Sequence, residues 1–428
     1  MLWPMASLSY PIVPRLLYGA LLLPALPLLT LHLLWRSLRQ PAYRNFFDER
    51  LGRHRRSAAR PIWLHAASLG EVQAAAPLLA ALRAEHAGVP IWVTCQTPAG
   101  RQAAEALALA DCTVAYLPFD AGFCVRAFLR RVRPRVALVL ETEIWPTLFL
   151  QVRRAGIPLL MLNARITERS LRRYRRLAIF RHALALPEAI ACQSAADAER
   201  FRAAGALDAA LSVTGNLKWD RPAPPAVAAR ADWPQTPVWM AASTHPDEEP
   251  VVLAAHRRLL REFPEALLLW APRHVERFEP VAQTVQNAGL ALRRRSRDAL
   301  PDADTRVFLI DTHGELAGFM PGSDLVFVGG SLQAIGGHNV LEPAGFGLPV
   351  LVGPHTAHFS DSVAALQAVG GLLQVPDAEA LAVQIAALLR DPTRRAAMGR
   401  ANADCVAASR GALEKTKALV AQRLVGGG

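Results

Sequence analysis

The sequence predicts an α/β protein of two doubly wound domains facing a cleft, preceded by a membrane-anchor helix. Three observations predict it. Short apolar runs alternate with helical segments from residue 61 to 216, and the habit repeats from 238 to 375. Continuous apolar strands separated by helices indicate a parallel sheet covered on both faces. Between the two series lies "RPAPPAVAARADWPQTP" (221–237), with five prolines in 17 residues, which is a linker composition. Ahead of both, Leu16 to Trp35 runs for 20 residues without a formal charge, long enough to cross a bilayer core.

Composition agrees. A chain of 428 residues holds two or three domains, and a hydrophobic content of 52% excludes extensive disorder. Lys and Arg number 48 against 36 Asp and Glu, a net charge of +12. That surplus suits nucleic acid, an anionic membrane surface or an acidic substrate. The five cysteines (Cys95, Cys112, Cys124, Cys192, Cys405) have no metal spacing and read as reduced, mostly buried small hydrophobes.

Taken in order, the apolar N-terminal stretch has three readings: a spanning anchor, a monotopic helix hairpin broken at Pro24 and Pro27, or a buried helix. An anchor over residues 1–40 is the reading adopted. Arg36, Arg39 and Arg44 follow it and place the remaining chain on the cytoplasmic side. The first domain, 41–220, carries strand candidates at 61–66, 90–95, 112–118, 135–141, 157–162, 189–193 and 211–215. The second, 238–428, carries them at 238–243, 266–272, 306–311, 324–330, 349–354 and 371–375, then ends in helices over about 378–424.

In open parallel sheets, ligands meet the carboxyl ends of the strands. After the first strand comes "HAASLGEV" (65–72), in which Ser68 and Glu71 are spaced as a capping box; Glu71 is either a cap or a base. "ETEIWP" (Glu141, Glu143, Trp145), "NARITERS" (Asn163, Arg165) and "TGNLKWD" (Asn216, Lys218, Asp220) follow later strands. Three carboxylates with Lys and Arg at one sheet edge outnumber what helix capping needs.

In the second domain "ASTHPDEE", "APRHVERF" and "DTHGELAGF" each follow a strand, and two glycine pairs precede a helix opening near Asn339. Glycine lets backbone amides approach a phosphate, and a helix start adds positive potential. Arg273 is suited to pair with phosphate, and Glu342 is placed for ribose hydroxyls. The combination points to a nucleotide-sugar donor. No metal site is expected: His338, His355 and His358 lack a ligand spacing, and Asp302-Ala-Asp304 reads as a solvated turn.

These segments carry a resemblance. "HAASLGEV", "ETEIWP", "NARITERS", "TGNLKWD", "STHPDEE", "PRHVERF" and "GGHNVLEPAGFGLPVLVGPH" occur in an order that resembles the 3-deoxy-D-manno-octulosonic acid (Kdo) transferases, a family of GT-B glycosyltransferases. The chain departs from the family at His313 (usually Met), Asp247 (usually Gly), and His358 and Thr147 (usually Asn). The resemblance implies two Rossmann-like domains in a GT-B architecture. It also implies inverting, metal-independent transfer of Kdo from CMP-Kdo to a lipid A precursor, with no cofactor. Glu71 is then the general base, and Glu141 and Lys218 stabilise the transition state. CMP is held by Pro272 and Arg273, by His313, Gly314 and Glu315, and by Asn339, Val340, Leu341 and Glu342.

An anionic glycolipid acceptor explains the basic surplus, with no nucleic acid required. Ser68, Gly70, Arg55 and Arg56 are the expected acceptor contacts, and the run Arg169 to Arg176 is either a headgroup site or a solvated helix face. The expected location is the cytoplasmic face of the inner membrane, among anionic lipids. The alternatives are a GT-B transferase using another nucleotide sugar on a membrane lipid, and a non-enzymatic basic protein docking on membranes.

Overall fold

The computed structural model describes residues 12–220, 227, 233–234 and 236–425. Residues 1–11 of the expected anchor and most of the expected linker lie outside the described residues. The chain divides into two compact units, Met1–Arg221 with Arg410–Gly428, and Pro222–Ser409.

The first unit is built on β1 (Ile62–His65), β2 (Ile91–Cys95), β3 (Cys112–Tyr116), β4 (Val136–Leu140), β5 (Leu159–Ala164), β6 (Ala189–Cys192) and β7 (Leu211–Val213). They form one parallel sheet in the order β3-β2-β1-β4-β5-β6-β7. The central strands are buried at every position because both faces are covered. Ile62, Leu64, Val136 and Leu138 enter one core cluster, while Trp63, Ala137 and Val139 enter the other. That is the two-residue period of a strand, with helices packed on each side.

The second unit repeats the plan with β8 (Val238–Thr244), β9 (Leu267–Pro272), β10 (Leu292–Arg294), β11 (Val307–Leu309), β12 (Leu325–Val328), β13 (Val350–Val352) and β14 (Leu372–Gln374). Its order is β10-β11-β9-β8-β12-β13-β14, again parallel throughout. Thirteen of these strands coincide with the apolar runs read from the sequence. β10 does not: it is an edge strand of sequence Leu-Arg-Arg, held by ion pairs of Arg293 with Asp298 and of Arg294 with Asp311.

Two expectations need correction. The second domain was expected to extend to 428, but the last helix, Ala412–Val425, belongs to the first unit. Asp220 accepts from Gly411 N (2.7 Å) and Leu413 N (2.6 Å), and Ala412 and Val420 are buried in the first unit's core.

The other correction concerns the N-terminus. Among the described residues no helix is long and apolar enough to cross a membrane. Nor does a hairpin form: Ile12–Arg39 is one helix of 28 residues running through Pro24 and Pro27. It lies against the first unit, where the Tyr18 hydroxyl donates to Asp120 (2.9 Å) and the Arg36 guanidinium sits 4.3 Å over the Tyr43 ring. Its other side is apolar and bare, with Leu28, Leu31, Trp35 and Leu38 between 56% and 77% exposed.

Candidate functional site

In the first sheet β1 and β4 are neighbours without being consecutive, so the chain leaves their carboxyl ends in opposite directions and opens a crevice. His65 ends β1. Its Nδ1 lies 2.9 Å from the Thr94 carbonyl oxygen and 3.0 Å from Thr94 Oγ1, which aims Nε2 at Glu143 Oε2, 3.4 Å away. Ser68 then caps the helix Leu69–Glu85 by accepting from Glu71 N, and its hydroxyl donates to Glu71 Oε1 at 3.0 Å. The other carboxylate oxygen accepts from Ala67 N at 2.8 Å. The expected capping box is present, closed on the residue before the cap.

Glu141 stands across the crevice just after β4. Its φ of 51° is left-handed, which costs a non-glycine residue about 1–3 kcal/mol and is held only where the surroundings demand it. The turn aims the carboxylate at Lys218, whose Nζ is 3.2 Å from Oε1. Lys218 is placed by its own short helix, Leu217–Asp220, docked where the side chain of Asn163 (φ 51°) accepts from Leu217 N at 2.9 Å. Glu143 accepts from Trp145 Nε1 at 2.8 Å. The loop ends at the helix Pro146–Arg154, whose first amides, Thr147 N and Leu148 N, donate to Asp120 at 3.0 and 2.7 Å. Burial pushes the Asp120 carboxyl up to about 7 against those bonds.

The carboxylates divide their protonation. Burial, then Glu143 and Glu141 nearby, push Glu71 up to about 7, against the opposing pull of Ala67 N–H and His65. Glu143 is buried too, which works to raise it, but the His65 bond and charge and the Trp145 N–H outweigh this and hold it below the usual range. A half-protonated carboxyl therefore sits beside an ionised one. That separation is what acid–base work at neutral pH requires.

Not every expected acceptor contact joins this group. Gly70 is exposed on the first turn of the capped helix. Arg56 is exposed, and Arg55 donates to Thr113 in the amino-terminal half of the edge strand β3, away from the carboxyl ends that carry Glu71 and Glu141.

The second unit carries its expected residues at the equivalent place, after the carboxyl ends of β9, β11 and β12. Pro272 closes β9, and Arg273 N donates to Thr244 O at 2.9 Å while its exposed guanidinium has no partner among the described residues. Gly314 turns left-handed (φ 80°) beside an exposed His313, whose ring lies 6.2 Å from that of Phe278. Glu315 is engaged by Arg295, which donates to Oε1 at 2.8 Å, and by Thr312; these bonds hold its carboxyl below the usual range.

Asn339 binds its own loop, accepting from Leu341 N at 3.0 Å and donating to Glu342 Oε1 at 3.0 Å. Val340 and Leu341 are buried. The helix expected near Asn339 is only Leu341–Gly345, too short for a substantial dipole, so its contribution to anion binding is corrected downward. Asp302-Ala-Asp304 is a turn, with Thr305 N donating to Asp302 Oδ1 at 3.0 Å.

Sequence reasoning missed Glu248. It is fully buried and accepts from His245 N, Gly330 N, Ser331 N and Leu332 N at 2.7–3.1 Å, tying the loop after β12 to the loop after β8. It also missed Arg295, which lies just beyond the unforeseen β10.

Residues 45–221 match the family described as 3-deoxy-D-manno-octulosonic-acid transferase (kdotransferase). A 3-deoxy-D-manno-octulosonic acid transferase of Haemophilus influenzae is 36% identical over 412 residues, covering 94% of this chain and 96% of that one. The chain belongs to the Kdo transferase family. It is therefore a glycosyltransferase, consistent with a place in lipopolysaccharide biosynthesis. The Bordetella pertussis Kdo transferase is 37% identical over 406 residues, covering 90% of this chain and 93% of its own. In fold alone the chain resembles MurG of Acinetobacter baumannii, with a TM-score of 0.56 at 13% identity, covering 85% of this chain and all of that one. The chain's two seven-stranded parallel sheets match that GT-B fold.

Proposed function

We propose that the protein transfers Kdo from CMP-Kdo to a lipid A precursor, inverting the anomeric carbon and using no metal. The observation that carries this reading is a carboxyl poised at about 7, Glu71, across a crevice from the Glu141–Lys218 ion pair. In its ionised form Glu71 takes the proton of an acceptor hydroxyl. The freed oxygen attacks the anomeric carbon, and the bond from that carbon to the phosphate oxygen breaks with its electron pair leaving on CMP. Attack opposite the leaving group inverts the centre. Glu141 faces the positive charge that develops on the sugar, and Lys218 pairs with Glu141 and orients it.

The donor is assigned to the second unit, with Arg273 on the phosphate and the His313–Glu315 and Asn339–Glu342 segments around the nucleoside. The acceptor brings its own phosphates, and the first unit offers arginines for them. Arg169, Arg172, Arg173 and Arg176 line a groove of about 520 Å³ with Leu177, and none has an acidic partner among the described residues.

The N-terminal helix supports placement at the cytoplasmic face of the inner membrane. Its bare leucines and Trp35, followed by Arg36 and Arg39, fit a monotopic helix lying in the interface rather than crossing it.

The test is a product mass spectrum from purified protein incubated with CMP-Kdo and a lipid A precursor. A mass increase of one or more Kdo units with release of CMP is expected. Turnover with another nucleotide sugar and none with CMP-Kdo would replace the donor assignment.

A further inference from the structure

At the carboxyl end of β8 the strand bulges, with Ser243 left-handed (φ 56°), and delivers His245 to the crevice between β8 and β12. There its Nε2 meets His338 Nε2 at 2.9 Å, the two rings parallel within 6° and 5.1 Å apart. The loop is shaped for these rings. A Cβ on Gly330 would come within 2.9 Å of the His338 ring, and one on Gly336 within 2.7 Å of His358.

Two imidazoles joined nitrogen to nitrogen can share one hydrogen along that line. The neutral pair has a vacant Nδ1 on the donor ring, so it accepts one further proton without breaking the bond. A second proton would set two N–H groups head to head. The pair therefore has a capacity of one.

Its surroundings keep it neutral when the site is empty. Burial, then Arg273, His245, His358 and His274, press His338 down to about 4. His245 is also lowered, by burial and by His274 and Arg273, with Glu248 and Asp247 pulling the other way. Glu248 is already committed to four backbone amides, and Asp247 is exposed. An unpaired guanidinium and four imidazoles on one crevice make a place where a proton is disfavoured until an anion arrives.

We propose that the His245–His338 pair takes up one proton when the phosphate of the donor nucleotide binds, and presents that proton to the phosphate oxygen that leaves. The proposal rests on the second unit being the donor site. When the sugar–oxygen bond breaks, its electron pair stays on that oxygen and the phosphate gains a negative charge. The pair then gives up its proton, leaving CMP as the monoanion and two neutral imidazoles.

Calorimetric titration of the full chain with CMP at pH 7.5, in buffers of different ionisation enthalpy, counts the protons. CMP is then largely dianionic, its second phosphate pKa being about 6, so its own protonation is minor. More than half a proton taken up per CMP is expected. Cytidine, which lacks the phosphate, should bring none. His338→Gln and, separately, His245→Asn should abolish most of the uptake and weaken CMP binding at least tenfold.

CMP binding to the parent without proton uptake overturns the proposal and leaves the donor site standing. Equal uptake by the parent and both variants overturns it by placing the proton on another group. If the parent does not bind CMP, the donor assignment falls first and takes the proposal with it.

Discussion

Glu71 closes the first turn of a helix with the same carboxylate that is assigned to accept a proton. Glutamine also serves at that capping position, so Glu71→Gln should preserve the cap. It cannot take a proton, and general-base contributions are about 10²–10⁴-fold, so single-turnover transfer should fall by at least ~10². If the rate survives while the thermal midpoint drops, the residue is a cap and the base lies elsewhere.

Its titration gives a second check. Below about 7 the carboxyl is mostly protonated, so kcat/KM should climb about tenfold per pH unit and level off above that point. Stability runs the opposite way. The folded pKa is raised, so between about 4.5 and 7 the folded state binds more protons than the unfolded chain and this group's contribution declines as pH rises. At pH 8 the Glu71→Gln midpoint should equal or exceed the parent's.

Lys218→Met should lower kcat by at least ~10², the usual cost of one lost electrostatic contact to a transition state. It should also destabilise, because Glu141 is left unpaired. The double variant with Glu141→Gln should recover the stability without the activity; recovery of both would deny the pair a catalytic role. Of these residues, the cap was legible in the spacing of Ser68 and Glu71. The raised pKa was not, because it depends first on burial and then on Glu143 and Glu141, about seventy positions away and brought near only by the β1–β4 neighbourhood.

Elements were legible where burial dictated composition. β1, β4, β9 and β12 read as strands because a strand covered on both faces tolerates almost nothing polar. β10 was illegible because at the sheet edge its arginines find Asp298, Asp302 and Asp311 instead of a core. The N-terminal helix was legible as apolar but not in its course, since hydropathy alone does not show that Tyr18 and Arg36 dock it on Asp120 and Tyr43.

That helix makes a prediction at its own scale. Leu31→Glu and Leu38→Glu place charge on the bare face and should strip the protein from anionic vesicles without shifting the thermal midpoint. Binding by the parent should weaken as salt rises from 0.05 to about 0.5 M, because the Debye length contracts. A large drop in midpoint would make the face part of the core.

Across the whole molecule, the donor and acceptor chemistries are assigned to separate compact units, and substitutions should separate accordingly. Arg273→Ala removes a charge-assisted bond worth about 1.5–3 kcal/mol, so CMP affinity should fall by roughly 10- to 150-fold. Acceptor binding should change little. Unaltered CMP affinity would move the nucleotide elsewhere.

The ownership of the last helix could not be read from its ordinary alanine, leucine and charged composition. It is set by Asp220 gripping Gly411 N and Leu413 N, and by Val420 entering the same core as Leu82 and Leu217. On the ribosome this return has an order to it. The second unit emerges whole before the first has received its final piece, so Leu82 and Leu217 wait for Val420 through the synthesis of nearly two hundred residues. A nascent chain arrested before Arg410 should therefore be cut by protease within its first unit, and releasing the last nineteen residues should close it.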